Sequence, residues 1–134
     1  MKRIHIGMKV DDLDKAIAFY SRLFDAKPTL QRPDYAKWML DDPQVNFSID
    51  THGDGEPGSA HYGIQVETPE ELEEMRELID TAGLLRSDQN NLICGYQRQD
   101  RPWVTDPHDV RWETFFTSGV VDGGGYGCDA MPDD

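Results

Sequence analysis

Three side chains of this sequence have the types and the positions of a metal site. His5 and His61 occupy the first position of a motif that occurs twice, His-x-Gly-x-x-Val. Both motifs lie where apolar and polar residues alternate, as in a half-buried β-strand, so each histidine is expected on the polar face. Glu113 is expected on the corresponding face of a later strand. Two imidazoles and one carboxylate form the facial triad that holds Fe(II) or another divalent ion.

Such a triad leaves coordination positions open. When residues 45–48 are aligned with residues 110–113, Ser48 takes the place of Glu113, and a serine hydroxyl is a weak ligand. A structural metal site fills its coordination shell with protein ligands, whereas open positions admit a substrate and oxygen. We therefore expect a reactive centre, with no catalytic residue beyond the three ligands. The residue types distinguish poorly among Fe(II), Mn(II), Ni(II) and Zn(II).

The elements that position these residues follow one plan used twice. Each motif is followed by a segment with helical apolar spacing, at residues 12–24 and 69–82. In the second helix we expect Thr68 to cap the N-terminus, Glu71 to complete a capping box with it, and Gly83 to end the helix. Further strands are predicted at residues 35–40 and 45–50 in the first half, and at residues 93–98, 103–105 and 110–116 in the second.

These elements predict an α+β fold in a single domain at residues 1–118. The first module spans residues 1–52 and the second spans residues 60–118, with turn-forming residues between them. Trp38, Trp103 and Trp112 are large enough to anchor the core. Residues 119–134 are rich in glycine and end in acidic residues, so we expect them to form a flexible tail.

The composition limits the classes of partner. The chain has 134 residues, about one domain, with 26 acidic and 13 basic side chains and a net charge of −13. This charge repels phosphate backbones and anionic lipids, so neither nucleic acid nor a membrane is an expected partner. No apolar run approaches the roughly 18–20 residues of a membrane helix. The two cysteines, Cys94 and Cys128, are too few for a disulfide scaffold and indicate reduced thiols in the cytoplasm.

Both ends of the predicted domain resemble a known superfamily. Residues 5–20 read HIGMKVDDLDKAIAFY and residues 106–113 read DPHDVRWE. They are similar to the opening and closing signatures of the vicinal oxygen chelate superfamily, which includes glyoxalases, bleomycin-resistance proteins, fosfomycin-resistance transferases and extradiol dioxygenases. The resemblance implies two βαβββ modules whose mixed sheet curls around a metal cavity, with His5, His61 and Glu113 at the ligand positions.

Within the superfamily, two segments resemble the organoarsenical carbon-arsenic lyases and the related cadmium-induced proteins. Residues 92–104 read LICGYQRQDRPWV, and residues 32–36 read RPDYA. The resemblance implies an Fe(II)- and oxygen-dependent enzyme that removes the organic substituent from trivalent arsenic. Trivalent arsenic is thiophilic, so the thiolate of Cys94 is expected to hold the metalloid beside the metal.

The chain departs from this group at one position. The group has a Cys-Cys-Tyr run, and here Gly95 follows Cys94 where the second cysteine would be. Our hypothesis is that the glycine-rich tail folds over the cavity and brings Cys128 toward Cys94. Tyr96 and Arg98 belong to the same segment and are expected to contact the substrate.

Two other classes of function fit the same residues. A thiol transferase of the fosfomycin-resistance type, or another glyoxalase-like enzyme, uses a similar ligand set, although a phosphonate substrate favours more basic residues than this chain has. A non-catalytic protein that binds thiophilic metals is the third reading. Two modules can close one cup within a chain or exchange between chains, so the sequence fits a monomer and a homodimer.

Overall fold

The computed structural model describes residues 1–52, 55–84 and 86–125, and the side chains of residues 89–101 and 117–125 lie outside this description. The chain divides into two compact units. We call Ile4–His61 the N-terminal unit, and Met1–Arg3 together with Tyr62–Asp134 the C-terminal unit. The division falls within the second copy of the repeated motif, since His61 belongs to one unit and Tyr62 to the other.

The N-terminal unit is built on a four-stranded mixed sheet. Its elements are β1 (Arg3–Lys9), α1 (Leu13–Leu23), β2 (Leu30–Arg32), β3 (Tyr35–Asp41) and β4 (Gln44–Asp50), and the strand order is β2-β3-β4-β1. β1 and β4 are parallel, with His5 beside Asn46 and Gly7 beside Ser48. β3 runs antiparallel to β2 and to β4. The short strand β2 has no counterpart among the predicted strands.

One face of this sheet packs against α1 through aromatic side chains. Trp38 and Phe47 are buried, and their rings lie 6.0 Å apart. Tyr20 and Phe24, on α1 and at its C-cap, approach the Phe47 ring to 4.6 and 5.2 Å. The indole N–H of Trp38 donates to the Ala26 carbonyl, which satisfies the one polar group of this side chain. Side chains at alternate positions, His5 among them, therefore lie on the other face.

The C-terminal unit repeats the parallel arrangement with three strands. Its elements are β5 (Ala60–Val66), α2 (Pro69–Thr81), β6 (Ser87–Thr105) and β7 (Arg111–Gly125), and the strand order is β5-β7-β6. β5 and β7 are parallel, and β6 and β7 are antiparallel. A small core of Val66, Leu72 and Met75 lies under α2. The first residues of β5, Ala60 and His61, belong to the N-terminal unit.

The predicted ends of α2 are confirmed, with one change in the cap. The Thr68 side chain accepts a hydrogen bond from the Glu71 backbone N–H, as expected of an N-cap. The Glu71 carboxylate accepts from the Glu67 N–H, one residue before the position that a capping box uses. Gly83 follows the helix with a φ of +75°, the left-handed conformation that glycine adopts without strain.

Two strands predicted separately, at residues 93–98 and 103–105, form one strand. Asp100 pairs with Phe116 and Trp103 pairs with Glu113 in the same register, so β6 continues past Pro102, which has no N–H to donate. β7 also continues to Gly125, whereas the predicted tail begins at residue 119. Residues 126–134 lie outside the described part of the chain.

The predicted α+β fold is confirmed: the first unit has the expected βαβββ order, and the second has βαββ because two of its predicted strands are continuous as β6. In both units a helix leads into strands that pair with the strand before it, as the repeated motif implies. Within the described ranges, neither helix combines the length and the apolar character needed to cross a bilayer.

Candidate metal centre

His5 projects from β1 on the sheet face opposite the aromatic core and is 7% exposed. Its Nδ1 lies 3.1 Å from the backbone carbonyl oxygen of Asn46. Because a carbonyl only accepts, Nδ1 must carry the proton and donate it in this bond. In the neutral ring Nε2 then has the lone pair, which is the state that a metal ligand requires.

His61, the histidine of the second motif copy, lies against His5. His61 Nε2 lies 3.3 Å from His5 Nε2, and the two rings are tilted by 50°. Two nitrogens about 2.1 Å from one ion, at an angle between about 90° and 110°, lie roughly 3.0–3.4 Å apart. The histidine pair therefore fits a divalent ion without rearrangement. In the protein without an ion, the same distance suits a single N–H···N hydrogen bond.

Gly7, the glycine of the first motif copy, makes room for this pair. A Cβ built on Gly7 would overlap the Cε1 and Nε2 atoms of His61. Gly7 and His5 are alternate residues of β1 and share a face, so the His61 ring lies directly over the strand at Gly7. A side chain at position 7 would occupy the place of the second imidazole.

Gly63, the glycine of the second motif copy, makes room for the Glu113 side chain. Glu113 on β7 is its register partner and is 1% exposed. A Cβ on Gly63 would lie 2.5 Å from the Glu113 backbone oxygen and 2.6 Å from its Cγ. The Glu113 side chain therefore lies against the backbone of β5. Carboxylates are almost never buried to this extent unless they are paired or coordinate a metal.

Large apolar side chains accompany Glu113 on its face of the sheet. Trp103 pairs with Glu113 across β6 and β7, so both side chains point the same way, and Trp103 is fully buried. Phe115 is two residues after Glu113 on that face and is also buried. The prediction that Trp103 anchors the core is correct for its burial, but the side chain lies with the carboxylate and not with the helix core. Trp112 is half-buried, with its ring 5.6 Å from Tyr62.

Lys37 and Ser48 are also buried on the polar face of the N-terminal unit. They are register partners on β3 and β4. The Ser48 hydroxyl forms a hydrogen bond with the Tyr35 side chain. Burial lowers the pKa of Lys37 to about 8. Neither the composition nor the motifs draw attention to Lys37.

The structure does not describe the side chains of the proposed substrate-binding residues. Cys94, Tyr96 and Arg98 are in β6, but their side chains are outside the described part of the structure. Cys128 is outside the described residues altogether. Their assignment stays a prediction.

Burial lowers the pKa of His5 to about 3, and the charge of His61 acts in the same direction, with a smaller contribution from Lys37. The hydrogen bonds to Asn46 oppose this shift. The folded protein thus keeps His5 neutral over the range where an exposed histidine takes up a proton.

We expect the metal-free protein to lose stability in mild acid for this reason. Below the ordinary value of 6.5 the unfolded chain binds a proton at position 5 that the folded chain does not bind until about pH 3. Each pH unit in this window lowers the free energy of unfolding by about 1.4 kcal/mol. Urea unfolding at pH 7.0, 6.0 and 5.0 measures the slope. His5→Gln should reduce the slope by this amount; equal slopes in the two proteins would contradict the expectation.

The chain matches a known protein family and several of its members. The model of the Glyoxalase/Bleomycin resistance protein/Dioxygenase superfamily matches residues 2–114. A trivalent organoarsenical cleaving enzyme from Bacillus sp. (strain MD1) is 39% identical over 124 residues, which cover 91% of this chain and 77% of that protein. The cadmium-induced protein CadI of Mycobacterium bovis is 34% identical over 116 residues, covering 86% of this chain and 76% of CadI.

Solved structures share the fold at lower identity. An extradiol ring-cleaving dioxygenase from B. fuscum aligns with a TM-score of 0.58 and 17% identity, over 90% of this chain and 33% of that one. A glyoxalase/bleomycin resistance protein/dioxygenase superfamily member from Vibrio splendidus 12B01 aligns with a TM-score of 0.52 and 15% identity, over 87% of this chain and 99% of that one. At these identities the likeness concerns the fold alone.

Proposed function

Since the chain belongs to the glyoxalase/bleomycin resistance protein/dioxygenase superfamily, we propose that it is an Fe(II)- and O2-dependent dioxygenase that cleaves the carbon-arsenic bond of trivalent organoarsenicals. The names of three relatives support this substrate class. Those at 39% and 32% identity are trivalent organoarsenical cleaving enzymes, and the one at 33% identity is a probable trivalent organoarsenical cleaving enzyme. The superfamily membership supports a metal-dependent reaction on a small molecule.

The observation that carries the proposal is the histidine pair. His5 and His61 present two Nε2 atoms 3.3 Å apart, and the Asn46 carbonyl fixes the proton of His5 on the other ring nitrogen. This arrangement leaves the lone pair of His5 on Nε2 and places His61 Nε2 at a distance that one ion can bridge. A ferrous ion bound there supplies the oxygen activation that the reaction requires.

We assign the third ligand to Glu113. His61 and Gly63 are alternate residues of β5 and share a face, and the Glu113 side chain lies against Gly63. Two histidines and a carboxylate have the number and types of donor that hold a divalent ion. Mn(II), Ni(II) and Zn(II) are the alternatives to Fe(II).

We assign substrate binding to the residues that the resemblance to the organoarsenical lyases suggests. Cys94 supplies the thiolate that holds arsenic, with Cys128 as the second thiol, and Tyr96 and Arg98 line the substrate. A thiolate at Cys94 would hold the arsenical by its arsenic atom, and an ion held by the histidines would supply oxygen activation.

The test is a reaction with all components defined. Metal-free protein is loaded anaerobically with Fe(II), mixed with O2 and either methyl- or phenylarsenite, and the released inorganic arsenite is quantified. We expect arsenite in proportion to bound iron, and none above background for His61→Ala. His52→Ala, which removes an imidazole paired with Asp34 in a loop, is the matched control and should retain activity.

Two outcomes distinguish a catalytic function from a binding function. Arsenite that requires both Fe(II) and O2 supports the proposal. Tight arsenical binding without arsenite release would replace it with a non-catalytic binding protein.

Loading with Mn(II), Ni(II) or Zn(II) in parallel, with metal analysis of protein from its own cells, identifies the ion that acts. Unchanged arsenical affinity in Cys128→Ser would remove the second thiol from the scheme.

A further inference from the structure

Lys37 on β3 is a buried lysine that the proposed reaction does not use. The residue is 5% exposed. Among the side chains that the structure describes, no carboxylate forms an ion pair with its ammonium group. Burial of a charged group without a partner is costly, and lysine is almost never fully buried unless it is paired. A buried ammonium group without a described counter-charge favours the binding of an anionic ligand.

The sheet register shows where the Lys37 side chain starts. Lys37 is opposite Ser48, and Ser48 is beside Gly7, so the three residues form one row across β3, β4 and β1. Register partners share a face, and this is the face that bears His5. The row ends at Gly7, beneath the His61 ring. At about 4.8 Å per strand, Lys37 lies about 10 Å from Gly7 across the sheet, on the same face.

The register partner of Lys37, Ser48, carries no charge, and no described carboxylate pairs with the lysine. The Ser48 hydroxyl is engaged by the Tyr35 side chain. The charge of Lys37 also acts on His5. Burial and His61 make the larger contributions that lower the pKa of His5, and Lys37 adds a smaller one. With its pKa lowered by burial to about 8, Lys37 still carries its charge in most molecules at neutral pH. The ammonium group and the histidine pair therefore belong to one environment in the N-terminal unit.

We propose that Lys37 is a specificity-determining residue that binds a carboxylate, or a like oxyanion, on the small molecule held at the His5–His61 pair. This proposal rests on the proposed function for the arsenical, and it extends that function by naming a preference for substrates with an acidic substituent. A charge-assisted hydrogen bond formed away from bulk water favours the anionic ligand over a neutral one of the same shape.

Binding of two matched trivalent arsenicals tests this preference. Phenylarsine oxide and 4-carboxyphenylarsine oxide are titrated calorimetrically into Mn(II)-loaded protein, as wild type, Lys37→Met and Lys37→Arg. We expect Lys37→Met to weaken binding of the carboxylated probe about 10-fold or more and to change the neutral probe less than 2-fold. Lys37→Arg should restore part of the difference. Lys15→Met removes an exposed helix lysine of equal charge and should behave as wild type.

The outcomes separate this proposal from the function. Equal weakening of both probes, or of neither, in Lys37→Met would overturn the role of Lys37 even if arsenite is released. Benzoate and benzamide, which contain no arsenic, are titrated in parallel. A benzoate preference lost only in Lys37→Met supports the anion site even if arsenicals are not cleaved. Thermal unfolding guards against misfolding, and Lys37→Met should be at least as stable as wild type because it removes a buried charge.

Discussion

Replacing Gly7 with alanine is expected to lower the affinity for a divalent ion about 100-fold while the fold is retained. The new Cβ would occupy the space of the His61 Cε1 and Nε2 atoms. These atoms are at the end of a side chain that can rotate, so the imidazole moves away from His5 and the backbone stays in place. A displaced ligand costs about 10–100-fold in metal affinity even when the residue itself is present.

Anaerobic titration of metal-free protein with Fe(II) against a competing chelator measures this loss. His61→Ala sets the value for a missing ligand, and His52→Ala sets the value for an imidazole outside the pair. Gly7→Ala should resemble the former in affinity and wild type in its unfolding temperature. If Gly7→Ala bound Fe(II) as wild type does, His61 would not be a ligand in the position that the structure shows.

Replacing Gly63 with alanine is expected to destabilise the whole protein. Here the Cβ meets the backbone oxygen of Glu113 at 2.5 Å as well as its Cγ at 2.6 Å, so relief requires β5 and β7 to separate. Overpacking of this kind costs about 1–3 kcal/mol. In a domain of this size we expect the melting temperature to fall by roughly 5–10 °C.

The two alanine variants control for each other, since each stands at the same position of the repeated motif. Thermal unfolding of the metal-free proteins should place Gly63→Ala well below Gly7→Ala. Equal melting temperatures would mean that the contact with the Glu113 backbone is relieved at little cost, and the rigid role assigned to Gly63 would be wrong.

Much of the arrangement can be predicted from local pattern. Alternation of polarity places His5 opposite the core, and helical spacing with Thr68 and Gly83 places the second helix to within a residue. The resemblance to the superfamily and to the organoarsenical group is confirmed by the matching family and relatives. These features depend on neighbours in sequence or on motifs that several residues share.

What sequence reasoning missed depends on pairing between distant strands. The two glycines are in the motif, but their role depends on three-dimensional packing. The His61 ring occupies the space that a side chain at Gly7 would take, and Glu113 does the same at Gly63. A signal was present, since each glycine follows its histidine by two residues and shares its face. Lys37 has no such signal, because its burial follows from its position in the row with Ser48. The burial of Trp103 was predicted from its size, but its position beside Glu113 depends on the register of β6 with β7.

The parallel pairing of β1 with β4 also has a kinetic consequence. The proton of His5 is fixed by the carbonyl of Asn46, a residue 41 positions further along the chain. Contacts between such distant residues form only after a long loop has closed, which makes them late and slow events in folding. A nascent or partly unfolded chain therefore lacks a prepared imidazole, and capture of the ion should follow completion of the fold instead of nucleating it.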